Sequence, residues 1–442
     1  MKSDTKMTRR QFVHGSVLAG AGLVLAGCAV NPVTGKNQFM MISEEQEISM
    51  DKSQSPHQFS TDYGAVQDSR LNSYVTDVGR KIAARTHRPH MPYLFQCVNA
   101  TYINAYAFPG GSIAVTRGIL LKMSNEAELA ALLGHELGHV NARHSAQQIS
   151  KSTLSSIFVS GVAAAIGTQS QGLGEVASKL GMLGQGVLLA RYSRDNEREA
   201  DDLGNRYMVQ AGYSSKGFVG LMSILNNLNK TKASAADMLF SSHPMSDERY
   251  ETAVAKSRDP YGNSAAFPLH RERYMDRTAS LRSIEKAIEA LQEGDRYMAK
   301  KQYGTAETNF ARAIKLAKED YAAHVMMAKC LLANERFDQA ATYADLAVSL
   351  YPSEAQGHHV AGFAHLKRKQ FNRAYERFNT YGQLLPGNPG TLFFKGYCQE
   401  GMDRTETAAQ FYKQYLNEVQ QGDYASHAYK RLKEWGYLGS TS

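Results

Sequence analysis

Two histidines and a glutamate stand close together in the apolar stretch LLGHELGHVNARH, residues 132–144. His135 and His139 are four residues apart, so in a helix their imidazoles project from one face about one turn from each other. Such a pair can hold one zinc ion, and Glu136 beside it can take a proton from an attacking water molecule. Two buried histidines that only form hydrogen bonds in the core, or a structural zinc site, would fit the same three residues. This pattern alone therefore does not establish a catalytic zinc site.

A catalytic zinc needs a third protein ligand from elsewhere in the chain. One class of zinc peptidase takes it from a histidine ten residues after the first, with a glycine at seven. Those positions hold Ser145 and Ala142 here, which excludes that arrangement. His144 is one residue short, about 100° round a continuous helix, and is predicted to be a helix-surface residue.

The segment RYSRDNEREADDLG, residues 191–204, supplies a better third ligand. Glu197 and Asp201 are four apart on one helix face. Glu197 would complete a two-histidine, one-glutamate site with one position left for water, and Asp201 would reach a ligating histidine and fix its tautomer. A helix rich in Glu and Arg is ordinarily a solvated face, but the accompanying HExxH motif favours a metal site. We therefore predict one Zn²⁺ per chain.

The helix that carries HExxH has clear start and packing signals. Asn125 and Glu128 form an N-x-x-E capping box. Apolar residues then recur at helical spacing at Leu129, Leu132, Leu133, Leu137 and Val140. A buried, rigid helix is the element that holds two ligands and a base most firmly.

Composition describes a globular chain of several domains. Of its 442 residues, 43% are hydrophobic and 21% charged, and this length is too great for one ordinary domain. The formal charge is +8, part of which comes from basic residues near the N-terminus. No basic stripe interleaved with aromatics is present, so we predict no nucleic-acid partner.

Residues 1–27 are predicted to be a signal peptide of the twin-arginine type, because Arg9 and Arg10 precede a short apolar run. The run has about ten residues, too few to span a bilayer that needs about 20. It ends in Leu-Ala-Gly-Cys, which resembles a lipobox and implies lipidation of Cys28. We expect an outer-membrane lipoprotein that faces the periplasm, held by its lipid anchor only, with residues 28–45 as the tether.

The three remaining cysteines, Cys97, Cys330 and Cys398, have no close spacing. They permit one disulfide in an oxidising compartment but do not form a disulfide framework.

The second half of the chain is an internal repeat of 34 residues. Position eight of each copy is small, position twenty is alanine, and position twenty-four is usually bulky, which is typical of a helix pair in each repeat. The array resembles tetratricopeptide repeats and predicts a concave surface for a protein partner. The predicted divisions are a peptidase domain at 46–258, a linker and helix at 259–286, repeats at 287–320, 321–354, 355–388 and 389–422, and a capping helix at 423–442.

The motifs together resemble a known family. HELGH followed some sixty residues later by ExxxD, with NAYAFPGGSIAVTRGIL before them and SSHPMSDER after them, is similar to the zinc endopeptidases that include eukaryotic CAAX prenyl protease and the bacterial heat-shock membrane protease. The resemblance covers residues 31 to about 255. It implies a mainly α (α+β) fold, a zincin-like domain with a small sheet, followed by the α-solenoid. His135, His139 and Glu197 would hold zinc, and Glu136 would be the base.

The same resemblance carries over further residues. Asn104 and His243 match positions that bind substrate or steady the tetrahedral intermediate, where a preorganised donor is needed. His243 could alternatively fill the fourth zinc position as a plug, and Arg249 matches a structural arginine.

Residues 152–190 are rich in Gly, Ala and Ser and are predicted to form a lid or a plain core hairpin. The strand at Gly111 to Val115 is predicted to be an edge strand that pairs with extended substrate.

These features predict an envelope endopeptidase that cleaves unfolded or misassembled envelope proteins. Its repeats would recruit substrate or an outer-membrane assembly machine. The alternative is a chaperone-like assembly factor whose zinc site is mainly structural or self-inhibited.

Overall fold

The computed structural model describes residues 28–152 and 192–438 of the chain. The predicted signal peptide, residues 1–27, lies outside the described residues, as does all of the predicted lid except Ser152. Cys28 opens the first strand, and its lipidation stays a prediction. Across the two described ranges, no helix is both long and apolar enough to cross a membrane.

The segment predicted to be a tether contains a small hairpin. β1 (Cys28–Val30) pairs antiparallel with β2 (Asn37–Phe39). Further on, the backbone N–H of Met41 donates to Ser150 Oγ at 2.9 Å. The segment is thus bound to the N-terminal domain, residues 44–258, before the first helix of that domain begins.

The helix α1 (Glu44–Thr61) starts at a capping box on Ser43. Glu47 in its first turn is fully buried and pairs with Arg88 at 2.7 Å and with Arg143 at 3.1 Å. Loss of one partner from a buried pair costs about 3–5 kcal/mol, so these contacts fix α1 against the rest of the domain.

The sheet follows α2 (Ser69–Ala83) and has three strands, β3 (Leu94–Val98), β4 (Ala105–Ala107) and β5 (Ser112–Thr116). The order is β3-β5-β4, with β3 parallel and β4 antiparallel to β5. The central strand is therefore β5, and the prediction that it is an edge strand is wrong. The reason is the turn at Gly111 (φ 109°), which folds β4 back onto β5 and makes β4 an edge.

The HExxH helix, α4 (Glu126–Asn141), lies in the middle of the domain, and every one of its residues is buried. Asn125 Oδ1 accepts the backbone N–H of Glu128 at 3.0 Å, as predicted, whereas the Glu128 carboxylate accepts the N–H of Ser124. Residues 144–152 are also helical. The helices of this part of the domain are α3 (Arg117–Lys122), α4 (Glu126–Asn141), α5 (Arg194–Gln210), α6 (Lys216–Thr231), α7 (Asp237–Ser242) and α8 (Asp247–Arg258).

The predicted linker packs on the N-terminal domain. It holds a 3₁₀ turn (Gly262–Ala266) and the short helices α9 (Arg271–Arg277) and α10 (Ala279–Ser283). Tyr274 Oη donates to the Leu120 carbonyl at 2.6 Å, so this segment positions the repeats relative to the domain.

Four helix pairs and a last helix form the repeat module. From the second pair onward, the first helix of each pair begins at the first residue of the predicted repeat. The helices are α11 (Glu285–Ala299), α12 (Tyr303–Leu316), α13 (Tyr321–Ala333), α14 (Phe337–Leu350), α15 (Ala355–Lys367), α16 (Phe371–Leu384), α17 (Pro389–Gly401), α18 (Thr405–Glu418) and α19 (Asp423–Glu434).

Small residues at position eight face bulky residues at position twenty-four. A Cβ on the glycine at position eight would lie 2.2–2.8 Å from the aromatic ring of the second helix in three of the repeats, which explains why this position must be small. The pairs are Gly294 with Phe310, Gly362 with Phe378, and Gly396 with Tyr412. The predicted fold class, mainly helical with a small sheet and a helical repeat module, is confirmed.

The repeats dock on the turn that follows α1. The Tyr63 ring lies 4.5 Å from Lys329 Nζ and packs against apolar residues of the first two repeats. The next residue, Gly64, has φ 71°, and a Cβ there would lie 2.3 Å from the Glu354 side chain. Part of the repeat module thus binds the chain's own N-terminal domain.

A buried ion pair joins the two parts nearby. Arg117 at the start of α3 pairs with Asp320 before α13, and each side chain is 4% exposed. Asp320 also caps α13, because its Oδ1 accepts the backbone N–H of Ala323 at 2.9 Å.

The described cysteines other than Cys28, namely Cys97, Cys330 and Cys398, are each free and buried.

Candidate metal centre

Four buried side chains, three from two helices and one from the residue after a third helix, converge inside the N-terminal domain. His135 and His139 lie on α4, Glu197 lies on α5, and His243 follows α7. One potential ligand atom from each lies within 4.8 Å of the others. The structure therefore brings the three predicted ligands together and adds His243 to them.

The distances between the donor atoms suit a tetrahedral cation. His135 Nε2 lies 3.1 Å from His139 Nε2 and 3.4 Å from His243 Nδ1. Glu197 Oε1 lies 3.4 Å from His139 Nε2 and 3.0 Å from His243 Nδ1. Ligand atoms about 2.0–2.1 Å from a tetrahedral zinc ion are about 3.3 Å from one another. The donor set therefore fits a metal ion of that size and preference.

Three glycines explain how α4 and α5 come close enough to share the site. A Cβ on Gly134 would lie 2.7 Å from the Gly204 carbonyl oxygen, and a Cβ on Gly138 would lie 2.7 Å from that of Ala200. A Cβ on Gly204 would lie 2.6 Å from the backbone nitrogen of His135. The helices touch backbone to backbone, which places the α5 carboxylates beside the α4 imidazoles. The glycines within LLGHELGH are the sequence signal for this contact.

Asp201 and Arg249 hold the ligands in place. Asp201 Oδ1 lies 2.9 Å from His135 Nδ1, the nitrogen that faces away from the other ligands. Arg249 Nη1 lies 2.7 Å from Glu197 Oε2, and its Nε donates to Asp201 Oδ2 at 2.7 Å. Arg249, predicted to be structural, thus contacts a predicted metal ligand directly.

These contacts keep the two carboxyls ionised. Burial by itself raises the pKa of Glu197, but the nearby His243 and His139 hold this pKa well below its ordinary value. Burial acts in the same direction on Asp201, and the charge of Arg249 outweighs it, so the Asp201 pKa is also lowered. A charged carboxylate is the form that binds a cation.

The prediction that His144 lies on a helix surface is wrong. The side chain is buried, and its Nδ1 lies 2.9 Å from His139 Nδ1. The prediction assumed one continuous helix, but α4 ends at Asn141 and Arg143 has φ 60°. This turn redirects His144 toward the site. Tyr192, which no sequence pattern indicated, stacks on the His139 ring at a centroid distance of 3.8 Å.

Glu136 is buried beside the four ligands and differs from them in its contacts. Its Oε2 has no hydrogen-bond partner among the described residues. Burial raises the pKa of the Glu136 carboxyl above its ordinary value, although the charges of His243 and His135 oppose this shift. A carboxyl with a raised pKa and a free oxygen is suited to accept a proton.

Asn104 lies just before the edge strand β4 and is fully buried. Neither polar atom of its amide has a partner within the described part of the chain. At the other end of β4, Ala107 and Phe108 lie close to His139. The edge of the sheet therefore runs from an unpartnered amide toward a predicted metal ligand.

Comparisons with known proteins agree with this geometry. Residues 69–257 match the model of peptidase family M48, and residues 297–361 match a tetratricopeptide repeat model. The beta-barrel assembly-enhancing protease of Yersinia pestis is 27% identical over 250 residues, which cover 55% of this chain and 50% of that protein.

Two further relatives cover shorter parts of the chain. The putative beta-barrel assembly-enhancing protease of Vibrio cholerae is 27% identical over 44% of this chain and 40% of its own length. The metalloprotease YcaL of Escherichia coli is 34% identical over 36% of this chain and 59% of its own length. The chain thus spans about half the length of the curated relatives it matches.

These matches confirm the family resemblance that the HExxH and ExxxD motifs indicated, and they confirm tetratricopeptide repeats in the second half of the chain. Residues 69–257 thus carry the match to peptidase family M48, and the match to tetratricopeptide repeats follows it in the same chain.

Proposed function

We propose that this chain is a zinc-dependent endopeptidase. The observation that carries the proposal is a cluster of four buried donors, within 4.8 Å of one another, with a buried glutamate beside it whose Oε2 has no partner among the described residues. His135, His139 and Glu197 would hold the ion, one per chain. A structural zinc site has no use for the neighbouring base, so the position of Glu136 favours catalysis over the structural alternative.

The residues of the chain divide the chemistry among themselves. A bound zinc ion supplies Lewis acidity, which lowers the pKa of water and polarises a peptide carbonyl. Glu136 then accepts a proton from the attacking water at Oε2 and returns it to the leaving amine. Asn104 donates its unpartnered amide N–H to the substrate, while Asp201 and Arg249 hold the ligands in register.

His243 closes the site in the described conformation. Its Nδ1 lies within the donor set, and a catalytic zinc needs an open fourth position. We therefore propose that His243 is a plug that must leave before water and substrate enter. His243→Ala should raise peptide cleavage at saturating zinc. A fall in cleavage with zinc retained would instead make His243 a group that stabilises the intermediate, and no change would remove both roles.

The edge of β4 suits an extended substrate. Asn104 and Phe108 bond to β5, so the alternate residues Ala105 and Ala107 point their backbone groups to the other side of the strand. Both residues are buried in the described conformation, so a peptide would add a strand there once the closed site opens, and it would then gain backbone hydrogen bonds with little demand on its sequence. This supports unfolded or loop segments as substrates, bound at β4 and not at β5.

We place the protein in the bacterial cell envelope, as an outer-membrane lipoprotein anchored through Cys28 and exported by a twin-arginine signal. Two relatives are named as beta-barrel assembly-enhancing proteases, which supports substrates among envelope proteins. The repeats would recruit such substrates or an assembly machine. Their last helices expose Tyr397 and Tyr424, 37% and 49% accessible, and so offer a surface that the N-terminal domain leaves uncovered.

Removal and restoration of the metal test this function. The full chain, stripped by a chelator and dialysed, should not cleave fluorescently labelled unfolded casein, and added zinc should restore cleavage. Magnesium should not restore it, because Mg²⁺ prefers octahedral oxygen ligands. Equal cleavage by the stripped and the zinc-loaded chain would contradict a metallopeptidase. If neither form cleaves casein although zinc binds, the chaperone-like alternative is favoured.

A further inference from the structure

We propose that His144 and Glu199 are positioning residues of the metal site. Together they fix the His139 imidazole in the tautomer and orientation that present its Nε2 to the metal. The inference rests on the proposed metal site and extends it to residues outside the four ligands.

The arrangement of protons follows from the contacts. His139 Nε2 is a donor atom of the cluster, 3.1 Å from His135 Nε2, so a neutral His139 carries its proton on Nδ1. That N–H points at His144 Nδ1, 2.9 Å away, which must accept it. The proton of His144 then lies on Nε2, which donates to Glu199 Oε2 at 3.1 Å. In this scheme each nitrogen has one role, and each of the contacts from His139 to His144 and from His144 to Glu199 joins one donor to one acceptor.

The two ligating histidines are thus held in parallel ways. Asp201 contacts the outward nitrogen of His135 directly, at 2.9 Å. Glu199 reaches the outward nitrogen of His139 through the ring of His144. Both carboxylates lie on α5, the helix that also supplies Glu197. One helix therefore provides a ligand and orients both imidazoles of α4.

Packing restricts the linking ring. His144 is 2% exposed, and the Tyr192 ring lies against both imidazoles, at centroid distances of 3.8 Å from His139 and 6.1 Å from His144. A buried imidazole needs a partner at each nitrogen, and the partner at the far nitrogen of His144 is a carboxylate of α5, the helix that also supplies Glu197. The partly exposed Glu199 supplies this carboxylate, and outer partners of this kind typically change metal affinity about 10–100-fold when they are lost.

The test is the zinc dissociation constant of the full chain, measured by competition with a chromophoric chelator. His144→Leu removes the acceptor and should raise the constant about 10–100-fold. His144→Asn keeps an oxygen near the position of Nδ1 and should stay within about threefold of the wild type. Urea unfolding of the metal-free chains separates loss of metal binding from loss of folding. Equal weakening by both substitutions would overturn the proposal, as would wild-type affinity in His144→Leu.

A second pair of variants covers the case in which His144 substitutions do not fold. Glu199→Ala should raise the zinc dissociation constant about 3–10-fold, because His144 Nε2 loses the carboxylate to which it donates. Asp202→Ala is the matched control, since Asp202 is a more exposed carboxylate on the same helix that pairs with Lys256. Equal constants in these two variants would overturn the proposal. If the wild-type chain does not bind zinc, the proposed function itself fails, which is a distinguishable result.

Discussion

Replacement of Gly138 by alanine should weaken both metal binding and folding, although alanine is ordinarily the better helix residue. A Cβ at this position would lie 2.7 Å from the Ala200 carbonyl oxygen. Carbon and oxygen atoms in close contact are ordinarily at least about 3.3 Å apart. The two helices must therefore separate by about 0.6 Å, or bend by a similar amount, to accept one methyl group.

That shift is large for a metal site. Metal-ligand distances are satisfied within about 0.2 Å, and Glu197 lies one helical turn from the point of contact. We expect the zinc dissociation constant to rise at least about tenfold, by comparison with the loss that follows removal of a supporting contact. Overpacking costs about 1–3 kcal/mol of folding free energy, partly offset by about 1 kcal/mol of helix propensity.

The control is Gly304→Ala in α12, where a Cβ would meet nothing within 4 Å. That substitution should leave zinc affinity unchanged and raise the unfolding free energy by at most about 1 kcal/mol. Chelator competition and urea unfolding measure both quantities on the full chain. Wild-type zinc affinity and wild-type stability in Gly138→Ala would refute the claim that the glycine contacts between α4 and α5 build the site.

Three further predictions concern the contact between the N-terminal domain and the repeats. Asp320→Asn should lower the unfolding free energy measured in urea by about 3 kcal/mol, because it leaves the charge of the buried Arg117 unpaired. Asp320→Ala should lower it by about 1 kcal/mol more, because the cap of α13 is lost as well. Unfolding of either variant at the urea concentration of the wild type would contradict this. Gly64→Ala should make the chain easier to cleave by limited proteolysis between its two parts. Gly35→Ala, with a similar φ of 69° but nothing within 4 Å of its Cβ, should not. An equal increase in cleavage in both variants would show that backbone strain alone is responsible. Burial lowers the pKa of Lys329 to about 8, below the value of about 10.4 in an unfolded chain, so the unfolded state binds more protons between these values and stability should rise with pH there. Between pH 8 and 10, the unfolding free energy of the wild type should therefore rise by about 1–3 kcal/mol relative to that of Lys329→Met, after allowance for partial exposure. Parallel curves of unfolding free energy against pH for the two chains would refute the assignment.

The sequence predicted those parts of the site that depend on local geometry. His135 and His139 on one helix face, and Glu197 and Asp201 on another, follow from the spacing of four residues in a helix. The capping contact of Asn125 and the phase of the repeats are local in the same sense. None of these requires knowledge of where the rest of the chain lies.

The features that could not be predicted depend on contacts between distant segments or on the backbone of single residues. Strand order depends on the turn at Gly111, whose positive φ folds β4 onto β5. His144 is buried because Arg143 interrupts the helix that the sequence pattern alone would extend. The docking of Tyr63 against the repeats joins segments more than 250 residues apart along the chain, and nothing in either segment by itself indicates the other.

The role of Glu136 is the central claim, and one comparison tests it most directly. Wild-type chain and Glu136→Gln, a substitution of nearly equal size, are loaded with zinc to the same measured content and supplied with labelled unfolded casein. The account predicts equal zinc content and cleavage by the wild type only, since the variant retains its metal ligands but cannot accept the proton. Cleavage by Glu136→Gln at the wild-type rate would contradict it.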